Sequence, residues 1–317
     1  MQENSKIPLL ISANLEDGGN GIAHTGTYMG RQMLIAATNQ VDMAYKLGKV
    51  CALEGKAVGV NRTFSPVIDI DYNFRNPITN VRTFGSDMAR VLDMSNAYIE
   101  GASEENILCT LKHFPGDGID ERDQHLVASV NTQSIETWEK SYGKIYADLI
   151  DDGAKVVMAG HIAMPSMEEL YDGAPCREVI PASLSKNIMQ KHLREKMNFN
   201  GLIVTDATLM VGFTSVSERE SAVPLAIENG SDMLLFTRDL DEDINYMKQG
   251  YKKGILSEQR LNEAVTKILA LKASIGLLED NAVITRNESE LTILRNKEHV
   301  SWAKEAADLG ITMVKDT

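Results

Sequence analysis

Cysteine is scarce in this 317-residue chain: Cys51, Cys109 and Cys176 are odd in number and never fall in a CxxC spacing. That excludes a disulfide framework and a thiolate metal knuckle, and the three read as free, mostly buried thiols in a reducing compartment. Positive charge is also short, with 32 Lys and Arg against 45 Asp and Glu for a formal net charge of −13. Nucleic acids and anionic membranes are held by basic patches, so neither is expected as a partner. The opening MQENSKIPLLISANLEDGG has an apolar run far too short to span a bilayer and no signal-peptide pattern, which makes a cytoplasmic location the expectation. Several catalytic signatures are missing as well. There is no GxGxxG after a strand and no GxxxxGK[ST] loop, so nucleotide binding has little support, and neither a GxSxG elbow nor an HExxH pair occurs. No cofactor is expected.

What the chain does have is ordinary globular material, 43% hydrophobic and 24% charged, in a length that suits one large α/β barrel or one domain plus part of another. Short apolar runs alternate with amphipathic stretches, the pattern of βα units around a parallel sheet. Strands are expected at Pro8–Ser12, at Ala57–Val60 continuing into Phe64–Ile70, and at Ile107–Lys112, Lys155–Ala159, Gly201–Thr205 and Asp232–Phe236. Their near-continuous apolar character suits strands covered on both faces. Ser134 is placed to cap a helix with Trp138, Tyr142, Ile145 and Leu149 at helical spacing, ended by Asp151-Asp152-Gly153. Ser257 precedes a second, whose apolar face reads Leu261, Val265, Ile268 and Leu271.

The residues that follow the strands carry the chemistry. PLLIS runs into Asn14-Leu15-Glu16, FSPVIDI into Asp71 and Arg75, ILCTLK into His113, KVVMA into Gly160-His161, and GLIVT into Asp206. Ionisable side chains at strand C-termini are what a TIM-type (β/α) barrel uses to build its active site, and an open doubly wound sheet is the second architecture that would do so. Asp206, directly after a buried strand, suits a nucleophile, a base, a metal ligand or a helix cap. His113, His125, His161, Asp117, Asp120 and Asp123 are all potential metal ligands, but no close-spaced ligand motif joins them, and no metal is expected. In Asp123-Gln124-His125 a carboxylate two residues from an imidazole can accept its hydrogen bond and fix its tautomer, either as a proton shuttle or simply to order the turn. The remaining charges of KHFPGDGIDERDQH, namely Asp117, Asp120, Glu121 and Arg122, read as solvated loop charge.

KHFPGDG followed by DQH, together with GLIVTDATLM, resembles glycoside hydrolase family 3, in particular its β-N-acetylglucosaminidase branch. The likeness extends through IPLLISANLEDGG, FSPVIDIDYNFRNPITNVRTFG, VVMAGHIAMP, SDMLLF and RLNEAVTKILALK, about residues 7–275. It implies a TIM-type (β/α) barrel, Asp206 as catalytic nucleophile and His125 supported by Asp123 as general acid/base. Lys112, His113 and Arg82 would then hold sugar hydroxyls, with His161 and Asn14 also lining the sugar site. Against the pattern of that branch, Gly-Asp-Gly stands in place of Gly-His-Gly, Gln124 in place of Ser, and Asn14 in place of a sugar-binding Asp.

The resemblance implies a retaining, exo-acting hydrolase that releases N-acetyl-β-D-glucosamine from chitin- or peptidoglycan-derived saccharides. Because a neutral imidazole base does not repel an anion, phosphate is also expected to compete with water as acceptor. The alternatives are a family-3 β-glucosidase and a catalytically silent saccharide- or partner-binding barrel. Residues 1–275 are expected to form the barrel domain, incomplete at its N-terminal side because only seven residues precede Pro8. Residues 276–317 are expected to be a linker and the start of a truncated C-terminal domain. Nothing in the sequence addresses oligomeric state.

Overall fold

The computed structural model describes residues 2–176, 178–279 and 287–315. The chain divides into two compact units, the first formed by Met1–Ile70, Asn80–Leu111 and Lys272–Thr317, the second by Asp71–Thr79 and Lys112–Leu271. Eight strands occur among the described residues: β1 (Ser12–Ala13), β2 (Arg62–Thr63), β3 (Thr110–Phe114), β4 (Ser129–Val130), β5 (Val156–Ala159), β6 (Ile162–Ala163), β7 (Leu202–Ala207) and β8 (Met233–Leu235). Helices separate most of them, though β4 follows β3 and β6 follows β5 without one, and every ladder with a defined register is parallel.

In the first unit β1 and β2 pair with Ser12 opposite Arg62. The helices Val41–Ala57 and Met88–Ser103 lie against each other so closely that a Cβ on Gly48 would meet the Tyr98 carbonyl oxygen at 2.1 Å, and one on Gly101 the Tyr45 oxygen at 2.3 Å. Glycine at both crossing points is what permits the approach. The Ala57–Val60 segment, expected as a strand, instead closes the first of these helices: Val60 donates its N–H to the Gly55 carbonyl at 2.9 Å, and strand pairing begins at Arg62. The apolar Phe64–Ile70 run expected to continue it is buried without forming a ladder. The helix Lys297–Gly310 packs on Gln32–Ala37 and on Val41–Ala57. Its His299 Nδ1 meets the buried Glu54 carboxylate at 2.6 Å. Of the expected 276–317 linker, residues 280–286 and 316–317 lie outside the described residues. The three cysteines are unpaired, and burial pushes the Cys51 thiol up to about 12, which leaves it inert as a nucleophile.

The second unit is built on the sheet order β3-β5-β7-β8, with Val156 opposite Leu202 and Ala159 opposite Thr205. These strands sit within a few residues of the expected positions, because continuous apolar runs bounded by Gly and charge are legible as covered strands. β4 and β6 pair separately, Ser129 opposite Ile162, and at two residues each they have no periodicity to read. The aromatic helix is real but broken: Ser134 Oγ accepts from Thr137 N–H at 3.2 Å, Ile135–Glu139 follows, and Tyr142–Asp151 starts anew after Ser141 turns its hydroxyl back onto the Thr137 carbonyl. Trp138, Tyr142 and Tyr146 are buried, and Phe114 of β3 meets Trp138 and Tyr146 edge-on with centroids 5.9 and 4.8 Å apart. Burial of each such ring stabilises by roughly 2–3 kcal/mol. In the helix Glu258–Ser274 the buried stripe includes Arg260, Ala264 and Leu271, while Val265 is exposed. Arg260 turns inward because Asp232, at the start of β8, is buried between its guanidinium and that of Arg194. The charge pair redirects a face that side-chain hydrophobicity alone assigns differently.

His192 lies in the π-helix Asn187–Lys196 with its ring against Trp138. Burial pushes its imidazole down to about 4 from 6.5. Between those two values the unfolded chain holds a proton that the folded chain does not, so stability rises with pH through that window and is lost on acidification. In urea unfolding between pH 7 and 4, His192→Gln is expected to reduce the fall in unfolding free energy by on the order of 3 kcal/mol. An unchanged pH profile would contradict this assignment.

Candidate active site

The adjacency of β3, β5 and β7 places three strand ends side by side, each with an ionisable residue within two positions of its last residue. Lys112 and His113 lie just before the last residue of β3 at 2% and 4% exposure, His161 follows β5 at 1%, and Asp206 is the penultimate residue of β7. The Lys112–His113 and Phe114–Pro115 peptide bonds are cis. His113 Nε2 stands 3.9 Å from Asp206 Oδ2, and the Ala207 N–H donates to Asp206 Oδ1 at 2.7 Å. Burial alone would raise the Asp206 carboxyl, but His113, the Ala207 N–H and Lys112 together outweigh it and hold the group below its ordinary value. Asp206 is therefore an anion at neutral pH in a largely dry setting.

His161 is fully engaged. Its Nε2 lies 3.0 Å from the Ala207 carbonyl and therefore carries the proton, while Nδ1 accepts from Ser183 Oγ–H at 2.7 Å. Burial keeps its imidazole below the usual histidine range, in agreement with this neutral tautomer. The family resemblance implies a place for His161 in the lining of a sugar site; both of its ring nitrogens have protein partners.

The loop after β3 carries the other pair. His125 Nδ1 lies 2.7 Å from Asp123 Oδ1, and the same oxygen accepts the His125 backbone N–H at 2.8 Å. The His125 side chain is 52% exposed, and Nδ1 is the ring nitrogen that Asp123 holds. This loop is fastened to the segment after β7, since Val211 N–H donates to the His125 carbonyl at 3.1 Å and Gly212 N–H to that of Gln124 at 3.0 Å.

Two of the supposedly solvated charges prove to be framework. Asp117 is buried: its Oδ1 accepts from Asn76 Nδ2 and from Gly118 N–H, both at 2.7 Å, and its Oδ2 from Gln124 Nε2 at 3.2 Å. Asp120 accepts from Val130 N–H at 2.8 Å and pairs with Arg122 at 2.6 Å, tying the loop to β4. Glu121 remains outside, 3.6 Å from Arg75. The buried role of Asp117 depends on Asn76, forty-one positions away, and no local pattern announces it. Among the described residues, no group of three or more His, Cys, Asp or Glu side chains is arranged to hold a metal ion, nor is any helix long and apolar enough to cross a membrane.

Arg82 and Asn14 belong to the first unit. Arg82 forms a bidentate pair with the buried Glu16, Nε to Oε2 at 2.9 Å and Nη2 to Oε1 at 2.7 Å, and Asn14 is exposed. Neighbouring Asp17 is raised by burial, against which Arg31 works from 3.3 Å.

Comparison with known proteins accounts for this architecture. The glycosyl hydrolase family 3 N-terminal domain matches residues 1–271, and the chain belongs to that family. Its fold class is the TIM-type α/β barrel, shared with the structures it superposes on. A beta-N-acetylglucosaminidase/beta-glucosidase of Cellulomonas fimi is 44% identical over 317 residues, covering 100% of this chain and 56% of that protein. A beta-hexosaminidase of Hydrogenovibrio crunogenus is 30% identical over 224 residues, 70% of this chain and 59% of that protein. Among solved structures, the beta-glucoside phosphorylase BglX bound to 2FGlc superposes with a TM-score of 0.96 at 48% identity, over 99% of this chain and 57% of that one. A family 3 beta-N-acetylglucosaminidase from Paenibacillus sp. str. FPU-7 gives 0.87 at 25% identity, over 98% of this chain and 58% of that one. The chain thus spans somewhat over half the length of these relatives.

Gly116 begins the loop at φ +123°, and a Cβ there would meet the Tyr142 ring at 2.3–2.7 Å. Gly116→Ala is expected to lower stability by about 2–4 kcal/mol in urea unfolding. A loss below about 0.5 kcal/mol would mean that the loop is not held against that ring.

Proposed function

We propose that the chain carries the catalytic domain of a retaining β-glycosidase, with residues 1–275 as that domain, Asp206 as the nucleophile and His125, oriented by Asp123, as the acid/base. The observation that carries this reading is a half-buried Asp206 carboxylate 3.9 Å from His113, together with a solvent-facing His125 imidazole hydrogen-bonded to Asp123 at 2.7 Å. Asp206 attacks the anomeric carbon as His125 protonates the glycosidic oxygen, giving a covalent glycosyl-enzyme and a free aglycone. His125 then takes a proton from water as its oxygen attacks the same carbon and Asp206 leaves, which restores both groups. Lys112 and His113 hold sugar hydroxyls beside the nucleophile.

The sugar we propose is N-acetylglucosamine, released from the end of chitin- or peptidoglycan-derived saccharides, as the hexosaminidase names of relatives support. A second reading, glucosides with phosphate as acceptor, is favoured by the 48% identity to a protein named a beta-glucoside phosphorylase. The chemistry is common to both, because a neutral imidazole lets an anion approach the glycosyl-enzyme where a carboxylate base would repel it. Phosphate oxygen then attacks the anomeric carbon, Asp206 departs, and a sugar 1-phosphate forms.

Asp206→Ala is expected to lower kcat/KM on aryl glycosides by at least about 10³-fold. His125→Ala is expected to lower it by about 10²–10³-fold on poor leaving groups and far less on dinitrophenyl substrates. Retention of activity in Asp206→Ala, or equal loss across leaving groups in His125→Ala, would refute the assignment. Comparing aryl N-acetylglucosaminide with aryl glucoside, each with and without phosphate, separates the sugars and acceptors. Sugar 1-phosphate is expected in the phosphate arms, and its complete absence would reject phosphate as acceptor.

A further inference from the structure

Gln124 sits between the two members of the dyad in sequence, yet it faces the other way. His125 is half exposed, whereas Gln124 has 0% exposure and uses both ends of its carboxamide. Nε2 donates to Asp117 Oδ2 at 3.2 Å, and Oε1 accepts the His161 backbone N–H at 2.8 Å. From His161 the connection continues through its ring, whose Nε2 donates to the carbonyl of Ala207, the residue after Asp206, at 3.0 Å. At the other end Asn76 donates to Asp117 at 2.7 Å. Asn76, Asp117, Gln124 and His161 are all buried, so the run from Asn76 to Ala207 is a continuous hydrogen-bonded connection shielded from water. It joins the loop that bears Asp123 and His125 to the strand end that bears Asp206.

We propose that Gln124 and Asp117 are positioning residues that set the separation between the acid/base dyad and the nucleophile, a role that rests on the function proposed above. A buried polar network with every member satisfied selects one geometry, and a functional pair on a loop needs such support to hold its place. The dyad itself does not depend on the connection, because Asp123 grips His125 through both its ring and its backbone. Cutting the connection therefore leaves the dyad intact and moves it as a pair. The backbone beside it has little slack to absorb such a shift: a Cβ on Gly212 would meet the Gln124 carbonyl oxygen at 2.8 Å and His161 Cβ at 2.9 Å.

The test uses Gln124→Met, which keeps length and removes both hydrogen bonds, alongside Asp117→Asn and His125→Ala in the full chain. For Gln124→Met, kcat/KM on aryl glycosides with poor leaving groups is expected to fall by about 10²-fold, the cost of a misplaced catalytic group, while dinitrophenyl glycosides lose less than about threefold. Azide, which needs no general base, is expected to raise its turnover of activated substrates, as in His125→Ala. Asp117→Asn should show the same pattern more weakly, since its amide oxygen still accepts from Gln124, and it carries the test if Gln124→Met does not fold. Equal loss on all leaving groups with no azide response, or no loss, overturns the proposal. If His125→Ala keeps its leaving-group dependence in that case, the proposed function stands without it; if His125→Ala loses it too, both fall.

Discussion

A carboxylate withdrawn from water and nonetheless kept ionised is the constraint around which the second unit is organised. Desolvation of Asp206 favours the neutral acid, and His113, Lys112 and the Ala207 N–H oppose it. None of these lies near Asp206 in sequence except Ala207. They are collected because β3, β5 and β7 are neighbours in one sheet, so that their C-terminal ends arrive together. The aromatic packing of Phe114 on Trp138 and Tyr146 fixes β3 from behind, and the Trp138 indole N–H, bonded to the Pro115 carbonyl at 2.6 Å, carries that rigidity into the loop.

The loop then sorts its charges by burial. Asp117 and Asp120 face the protein and bind backbone and amide groups, Glu121 faces solvent, and Asp123 is committed to His125. The His125 imidazole stays half exposed beside it. In the function proposed above, a second carboxylate at this point would surround the reaction centre with negative charge in the second half-reaction, whereas an imidazole is neutral at that stage and leaves room for an anionic acceptor.

Much of this was legible in the residues themselves, and the exceptions share a cause. β5, β7 and β8 could be placed because their apolar runs are continuous, and Asp206 and His161 because they follow directly. Asp123 and His125 could be paired because the contact spans two positions. The burial of Asp117, the inward turn of Gln124, the occupied ring of His161 and the inward Arg260 all depend on partners more than six positions away, in several cases more than twenty. A buried aspartate and a solvated one look alike inside a polar loop. The two-residue strands β4 and β6 and the helical ending at Ala57–Val60 escaped for the complementary reason: they are too short for periodicity to distinguish them.

The claim on which the rest depends is that Asp206 is the group that bonds to the sugar. Incubation with a fluorinated glycosyl substrate that forms the glycosyl-enzyme quickly and releases it slowly, followed by proteolysis and mass spectrometry, tests it directly. A single sugar adduct on Asp206, stoichiometric with lost activity, is expected. An adduct on any other carboxylate, or inactivation with no adduct at all, would contradict it.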